Sequence, residues 1–409
     1  MSILLLATVS MVAQGATPTV TIQPMTLIAK LASEDQAYGM LVRGKSIYLF
    51  GNVTGVVSTD GYVQALDATG QVQWSLALDA GQNEIATAAT IDARGSIWIL
   101  GSSAAATPVP SPYDTATVTS APTPTTATDI ALNPDAVQVD PVLPMRQDLT
   151  HVIAWKVSRS GTLLGTFTLA MNRPVLVRTA ISTSSGIAFA GIASTNSGNA
   201  GFYATSDLNG LMSKPLNVGK VDSELNALAK MENDTVGIFG ASSESISGTK
   251  LMGKRDGIIS SVSVLGKLGK VLRSSHVKST RSWQSATNSI FLGGDSVTAG
   301  TMEAVVTKFS PAFVPTWTTR YPSSSPAMTV DGTISHFALF SPTSLIQGVK
   351  GWKPAEGTSV ALAYNSRGAI TGAYRVAGMP ISIGYSRDLG VVVLGRGTLG
   401  VSIFHTLTR

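Results

Sequence analysis

GSIWILG, residues 95–101, is a short apolar run closed by glycine, and the chain repeats it. KSIYLFG ends at Gly51, GIAFAG at Gly191, TVGIFG at Gly240 and GVVVLG at Gly395, while SIFLGG reaches its first glycine at Gly293. A degenerate copy, ISHFALF (Ile334–Phe340), has Ser341 where glycine is expected. Successive copies lie 50, 90, 49, 53, 47 and 55 residues apart. The gap of 90 holds a low-complexity stretch of roughly 45 residues. Removing it restores a period of about 45–50, which signals a repeat architecture.

Each copy carries more than one strand. After the glycine and a variable loop comes a second alternating segment that ends in a polar pair and glycine. DGYVQALDATG (Asp60–Gly70), HVIAWKVSRSG (His151–Gly161), GFYATSDLNG (Gly201–Gly210) and DGIISSVSVLG (Asp256–Gly266) are examples. This is strand followed by hairpin turn, because glycine supplies the positive φ a tight turn needs. A third segment follows, such as QVQWSLAL or PTWTTRYP, and a fourth precedes each glycine-ended run, such as AYGMLV or ATAATID. Four strands per unit, seven units and a period of about 50 describe an all-β chain, a seven-bladed β-propeller of four-stranded blades. The seventh unit stops at Arg409 after its third strand. The N-terminal segment VTIQPMTLIAKLAS (Val20–Ser33) is expected to complete that last blade and remove the open edge.

The units resemble the secreted bacterial β-propeller repeat. Blade 1 carries Asp60, Gly61, Tyr62, Val63, Leu66, Asp67, Gly70, Trp74 and Ser75, and the next unit has Asn83, Glu84, Ala86–Asp92 and Gly95–Gly101. The match is good over residues 34–101; beyond it the Trp-Ser and Asp-Gly pairs are mostly lost. The resemblance implies an exported propeller and no particular reaction.

Composition excludes several chemistries. There is no cysteine, so disulfides, thiol catalysis and thiolate metal sites are ruled out. Only four histidines occur, His151, His276, His336 and His405, too far apart for a paired ligand motif on one helix. No metal ligand set and no cofactor is expected. Residues 1–150 hold 5 Lys/Arg and 12 Asp/Glu, a net of −7; the rest hold 24 and 12, a net of +12, recovering the total of +5. Eight of those cations lie between Lys250 and Arg281. They read either as a solvated face or as an attraction for an anionic surface polymer. No aromatic platform is interleaved with them, so no specific nucleic acid is expected.

Residues 1–16 read as a signal peptide with a weak n-region: Ile3–Ala13 is apolar, Ala13 and Gly15 suit a cleavage site, and no cation precedes the run. A buried first strand is the other reading. No segment reaches the length of a transmembrane span. Residues 17–409 then form a single propeller, secreted or at the cell surface and monomeric. Residues 103–148 hold 8 of the 19 prolines and form a Pro/Thr-rich insert in blade 2, between its second and third strands. This is either a docking arm or a tolerated surface loop.

No G-x-S-x-G elbow, Walker A spacing or EF-hand loop is present. Charged residues in the links that enter the inner strands, expected to ring the mouth of the channel, are the candidate ligand-binding set: Glu34, Asp35, Glu84, Arg173, Asp222, Glu224, Lys278, Arg281 and Arg320. No catalytic residue is assigned. The expected function is a non-catalytic binding scaffold for a protein, glycan or wall polymer. The alternative is a propeller hydrolase or lyase with an acid–base pair at the channel mouth, which would bring groups such as Glu34, Glu84 and His276 around one cleft.

Overall fold

The computed structural model describes residues 19–31, 36–54, 58–105, 145–398 and 400–406. The signal-peptide reading, most of the insert, Glu34 and Asp35 lie outside them. The chain is a seven-bladed propeller. Blade 1 is built from Gln36–Arg43, Ser46–Thr54, Thr59–Leu66 and Val72–Leu78. Blades 2 to 5 follow the same antiparallel order, starting at Glu84, Val175, Ser223 and Ser279. Blade 6 starts at Met328 and blade 7 at Met379. Among the described residues no helix is long and apolar enough to cross a membrane.

Seven apolar clusters each fill the wedge between two neighbouring blades. Phe50, Ile99 and Trp155 lie between blades 1 and 2, Trp98, Phe189 and Phe202 between 2 and 3, and Phe239, Trp283 and Phe309 between 4 and 5. Leu49, Leu394 and Ile403 fill the wedge between blade 7 and blade 1. That last wedge exists only because the ring closes. The outer strand of blade 7 is Thr26–Lys30, paired antiparallel with Gly400–His405 from Thr26 opposite His405 to Lys30 opposite Ser402. The N-terminal segment does more than the single strand expected. Gln23–Pro24 adds a fifth strand to blade 6, parallel to Ile370–Ala377, and Val20–Thr21 pairs with Val349–Lys350. Pro24, the second residue of the added strand, cannot donate to a ladder and is tolerated at this sheet edge.

The repeated glycine has a structural cause. In six blades the inner strand carries a register shift against the second strand, a β-bulge that inserts one extra residue. The repeat glycine faces the residue just before the bulge: Gly51 faces Ala37, Gly101 faces Ala86, Gly191 faces Val177 and Gly240 faces Leu225. There the bulged backbone comes so close that a Cβ on Gly240 would sit 2.0 Å from the Glu224 carbonyl oxygen. In blade 5 the residue in this role is Gly294, opposite Trp283, one position beyond the Gly293 expected from the sequence pattern. The degenerate copy follows the same rule. Blade 6 has Ser341 in place of glycine, and its four-residue inner strand Met328–Asp331 pairs without a bulge.

A second glycine position closes the turn between third and outer strands. In Asp67–Gly70 the Asp67 carboxylate accepts the Thr69 and Gln71 N–H groups, and Gly70 takes a φ of 82°. Asp207–Gly210 and Asn365–Gly368 repeat the design. At Gly161, Gly210 and Gly368 the turn glycine also receives an aromatic ring from the outer strand of the preceding blade. The Trp74 ring of blade 1 lies 2.6 Å from where a Gly161 Cβ would be, and its Nε1 donates to the Arg159 carbonyl at 2.9 Å. Trp317 stands in the same relation to Gly368 and the Ser366 carbonyl.

Gly161→Ala should therefore destabilise through both the positive φ and the Trp74 contact, by about 2–3 kcal/mol. Gly266→Ala, at a φ of 72° with nothing within 4 Å, carries only the backbone cost of about 1 kcal/mol. Urea unfolding midpoints of the two variants measure the cross-blade contribution directly. Equal losses would show that the Trp74 contact contributes nothing.

Candidate functional site

The bulges place one extra residue in each of six channel-lining strands: Tyr38, Thr87, Arg178, Asn226, Gln284 and Ile381. Several of them reach the next blade. Thr87 Oγ1 donates to the Val177 carbonyl at 2.6 Å, and Asn226 Nδ2 reaches the Trp283 carbonyl at 3.3 Å.

Across blades 4 and 5 these residues organise a buried polar network. Glu224 is 3% exposed and lies two residues before the bulge residue Asn226. Its Oε1 accepts hydrogen bonds from Asn226 Nδ2 at 3.0 Å and Ser282 Oγ at 3.1 Å, and Arg255 Nη2 lies 3.4 Å away. Arg255 also pairs with Asp222, which accepts a hydrogen bond from Ser243. Burial works against the Arg255 charge, but Glu224 and Asp222 outweigh it and raise its pKa. Gln284 Nε2 donates to Ser282 Oγ at 2.9 Å. Nearby, burial pushes the Asp295 carboxyl up to about 6, and the Glu224 charge adds to the shift. Burial also lowers the Arg178 pKa, an effect that Glu224 opposes. Glu224 is thus committed to tying blade 4 to blade 5.

The links between blades and the loops between second and third strands share one end of every blade, here termed the link face. Of the candidate residues, the structure brings together Asp222 and Glu224. Arg173 and Lys278 are exposed in links on the same face. Arg281 is not in a link: it is the third residue of the blade 5 inner strand, 7% exposed, stacked over Trp283 with its guanidinium 4.3 Å from the ring centroid. Burial lowers its pKa to about 10. Arg320 is also not in a link. It lies near the end of the outer strand Pro315–Pro322, with Nη1 3.7 Å from Glu303 Oε2. Glu84 is 0% exposed at the start of blade 2, and burial pushes its carboxyl up to about 7. One of its oxygens groups with oxygens of Asp60 and Asp79, a metal-compatible set that the sequence reading did not assign.

The run Lys250–Arg281 does not form one patch. Arg255, Arg273 and Arg281 are committed to packing and buried hydrogen bonds. Lys267 and Lys270 lie at the turn beyond the third strand of blade 4, at the opposite end from the link face. Lys250, Lys254 and Lys278 are exposed on the link face, as are Arg173 and Lys220 in the preceding links. The acids of that sector are occupied. Asp222 pairs with Arg255, and Glu244 Oε1 accepts the Lys220 and Val221 backbone N–H groups at 2.7 and 2.9 Å. Over blades 1 and 2 the face instead carries Asp60, Asp79 and Glu84.

Glu84 and His276 stand at the entrances of blades 2 and 5 and do not share a cleft. His336 Nδ1 lies 2.7 Å from Asp331 Oδ1, with Ser289 nearby. Ser289 Oγ donates to that same carboxylate at 2.9 Å and lies 3.5 Å from the same ring nitrogen. A nucleophile–base relay needs the serine on the other nitrogen. Sequence reasoning missed Arg255, Asn226, Ser282 and Asp295. Asn226 had a signal: in blades 1 to 4 and 7 the bulge residue lies 13 or 14 positions before the repeat glycine.

Asp295 supplies a pH test. Its folded pKa of about 6 stands above the ordinary 3.8, so between these values the folded chain holds a proton that the unfolded chain has released. Its stability cost is present above the folded pKa and fades as pH falls toward the unfolded value. Asp295→Asn should raise unfolding free energy by on the order of 2 kcal/mol near pH 8, with the gain lost near pH 4. Urea unfolding at the two pH values measures this; a gain independent of pH would sink the assignment.

No protein-family model matches the chain, and no curated protein sequence matches it significantly. Solved propellers are similar in outline only. The structure titled YCF48 bound to D1 peptide is 10% identical with a TM-score of 0.49, covering 96% of this chain and 98% of that one. Sqt1 of Chaetomium thermophilum, bound to the N-terminus of ribosomal protein L10, is 12% identical with a TM-score of 0.49, covering 93% and 99%. An ulvan lyase of polysaccharide lyase family PL25 is 11% identical with a TM-score of 0.45, covering 96% of each chain.

Proposed function

We propose that the protein is an exported, non-catalytic binding scaffold, of the kind implied by its resemblance to the secreted bacterial propeller repeat, and that its link face over blades 3 to 5 holds an acidic surface polymer. The observation that carries this reading is the division of charge on that face. Arg173, Lys220, Lys250, Lys254 and Lys278 are exposed, while the acids beside them are held by Arg255 or by backbone N–H groups. Such a surface attracts repeated negative charge at long range and fixes little geometry, which suits a polymer better than a small molecule. The network of Glu224, Asn226, Ser282 and Arg255 ties together blades 4 and 5 beneath it. The apolar run at Ile3–Ala13 supports export.

The test is retention on an immobilised polyuronate. The wild-type chain should bind at low salt and release as ionic strength passes about 0.15 M, where the screening length falls to roughly 8 Å. Lys250→Glu/Lys254→Glu/Lys278→Glu should weaken binding at least about tenfold, a loss of about 1.4 kcal/mol. Lys267→Glu/Lys270→Glu, at the opposite end of blade 4, should leave it unchanged. Equal effects of the triple and the double variant, or salt-insensitive binding, would overturn the ligand-face assignment.

A further inference from the structure

We propose that Asp60, Asp79 and Glu84 form a calcium site on the link face between blades 1 and 2. The proposal is independent of the polymer-binding reading. Three elements converge there: the third strand of blade 1 (Thr59–Leu66), the link after its outer strand, and the first residue of the blade 2 inner strand (Glu84–Ile91). One oxygen from each carboxylate lies within 4.8 Å of the other two. Ligand oxygens around one calcium ion, at about 2.3–2.6 Å from it, are at most about 5 Å apart, so the three fit one coordination sphere. The donor set is all oxygen, which suits a hard cation and disfavours zinc or copper. Magnesium needs shorter bonds of about 2.0–2.1 Å and near-ideal octahedral geometry, a tighter demand than this loose set meets.

The second observation is Glu84 itself. Its side chain is fully buried; Oε1 accepts the Ala80 and Gln82 N–H groups at 3.2 Å each, and Oε2 has no hydrogen-bond partner among the described residues. Among those residues no Lys, Arg or His side chain forms an ion pair with any of the three acids. A buried carboxylate with one oxygen unpaired and no ion-pair partner is costly, and a bound cation removes that cost. The other two acids are held in place: Asp60 Oδ1 accepts Ser58 Oγ at 2.8 Å, and Asp79 Oδ1 accepts the Gly81 N–H at 2.6 Å.

The chain contains its own control. Blade 4 repeats the Asp-Gly pair at Asp256–Gly257, in the same register: Gly51 faces Tyr62 as Gly240 faces Ile258. There Asp256 accepts the Met252 and Gly253 N–H groups at 2.7 Å each and has Arg273 Nη1 at 4.0 Å. Blade 4 thus supplies a protein cation at the position where blade 1 gathers two further carboxylates. Beside the site, Asn83 Oδ1 accepts the Thr59 N–H at 3.2 Å and Asn83 Nδ2 donates to Asp148 Oδ2 at 3.3 Å. An ion here ties blade 1 to blade 2 at the root of the proline-rich segment.

The full chain, stripped with chelator and dialysed, is titrated with calcium chloride by calorimetry and melted with and without the ion. One ion per chain is expected, with a dissociation constant on the order of 10⁻⁴ M and a higher melting midpoint in calcium. Glu84→Gln keeps the acceptor for Ala80 and Gln82 and should weaken calcium binding at least about tenfold, as should Asp60→Asn. If Glu84→Gln fails to fold, Asp79→Asn at the exposed ligand gives the same readout. No heat and no midpoint change up to about 10 mM calcium would overturn the proposal, as would variants that bind like the wild type. Magnesium binding as tightly as calcium would overturn the choice of ion.

Discussion

Everything in this ring depends on five residues, Thr26–Lys30, pairing with the last strand of the chain. The wedge between blades 7 and 1 has apolar walls, Leu49 and Met40 on one side and Leu394 and Ile403 on the other, and these walls meet only if the circle is complete. No cysteine is available to lock the junction. Closure therefore rests on backbone hydrogen bonds and side-chain packing. The turn of blade 1 completes the fit: at Gly70 a Cβ would lie 2.7 Å from the Ile28 carbonyl oxygen and 2.8 Å from the Ala29 Cβ. Strand pairing, turn chemistry and wedge packing support one another at a single seam.

The same economy runs around the ring. Each blade meets the next through an apolar wedge, and three outer strands place an aromatic side chain, Trp74, Phe167 or Trp317, over the following blade's turn. Near the axis, bulges take over the coupling, with Thr87 and Asn226 hydrogen-bonded to the neighbouring inner strand. These contacts leave the link face as the variable surface. Its charge is divided by sector, with carboxylates over blades 1 and 2 and exposed cations over blades 3 to 5. The two sectors suit different partners: a compact cation for the converging acids, an extended anion for the spread cations.

Much of the fold was legible because its devices are local in sequence. Blade number followed from the glycine spacing, and closure from the missing outer strand of the last unit. The turn glycines were readable from their polar neighbours. The inner-strand bulge was not, because an extra residue in one strand shows only when its partner's register is known. That is why Gly293 stood in for Gly294, and why the loss of glycine at Ser341 could be noticed but not explained. Site residues were less legible. Arg281 and Arg320 are cations near strand ends, where sequence does not distinguish a link from the first or last residues of a strand. Arg255 and Asp295 are far from Glu224 along the chain; strand pairing within blade 4 brings Arg255 to it, and the packing of blade 5 on blade 4 puts Asp295 within reach of its charge.

By itself, the sequence determined the period, the number of blades, the turn positions and the charge contrast between its two parts, because each depends on residue order over a few dozen positions. The tertiary structure alone decided which charges are buried, which are paired and which remain on the surface. Arg255, Arg273 and Arg281 resemble Lys250, Lys254 and Lys278 in a linear reading, yet the first three are drawn into the blades and the others face solvent. Likewise, Asp60, Asp79 and Glu84 look like ordinary turn acids until the passage from blade 1 to blade 2 brings their oxygens together. Burial and Coulomb interaction depend on distance in space, and the ring sets those distances only when its blades are packed and its seam is closed.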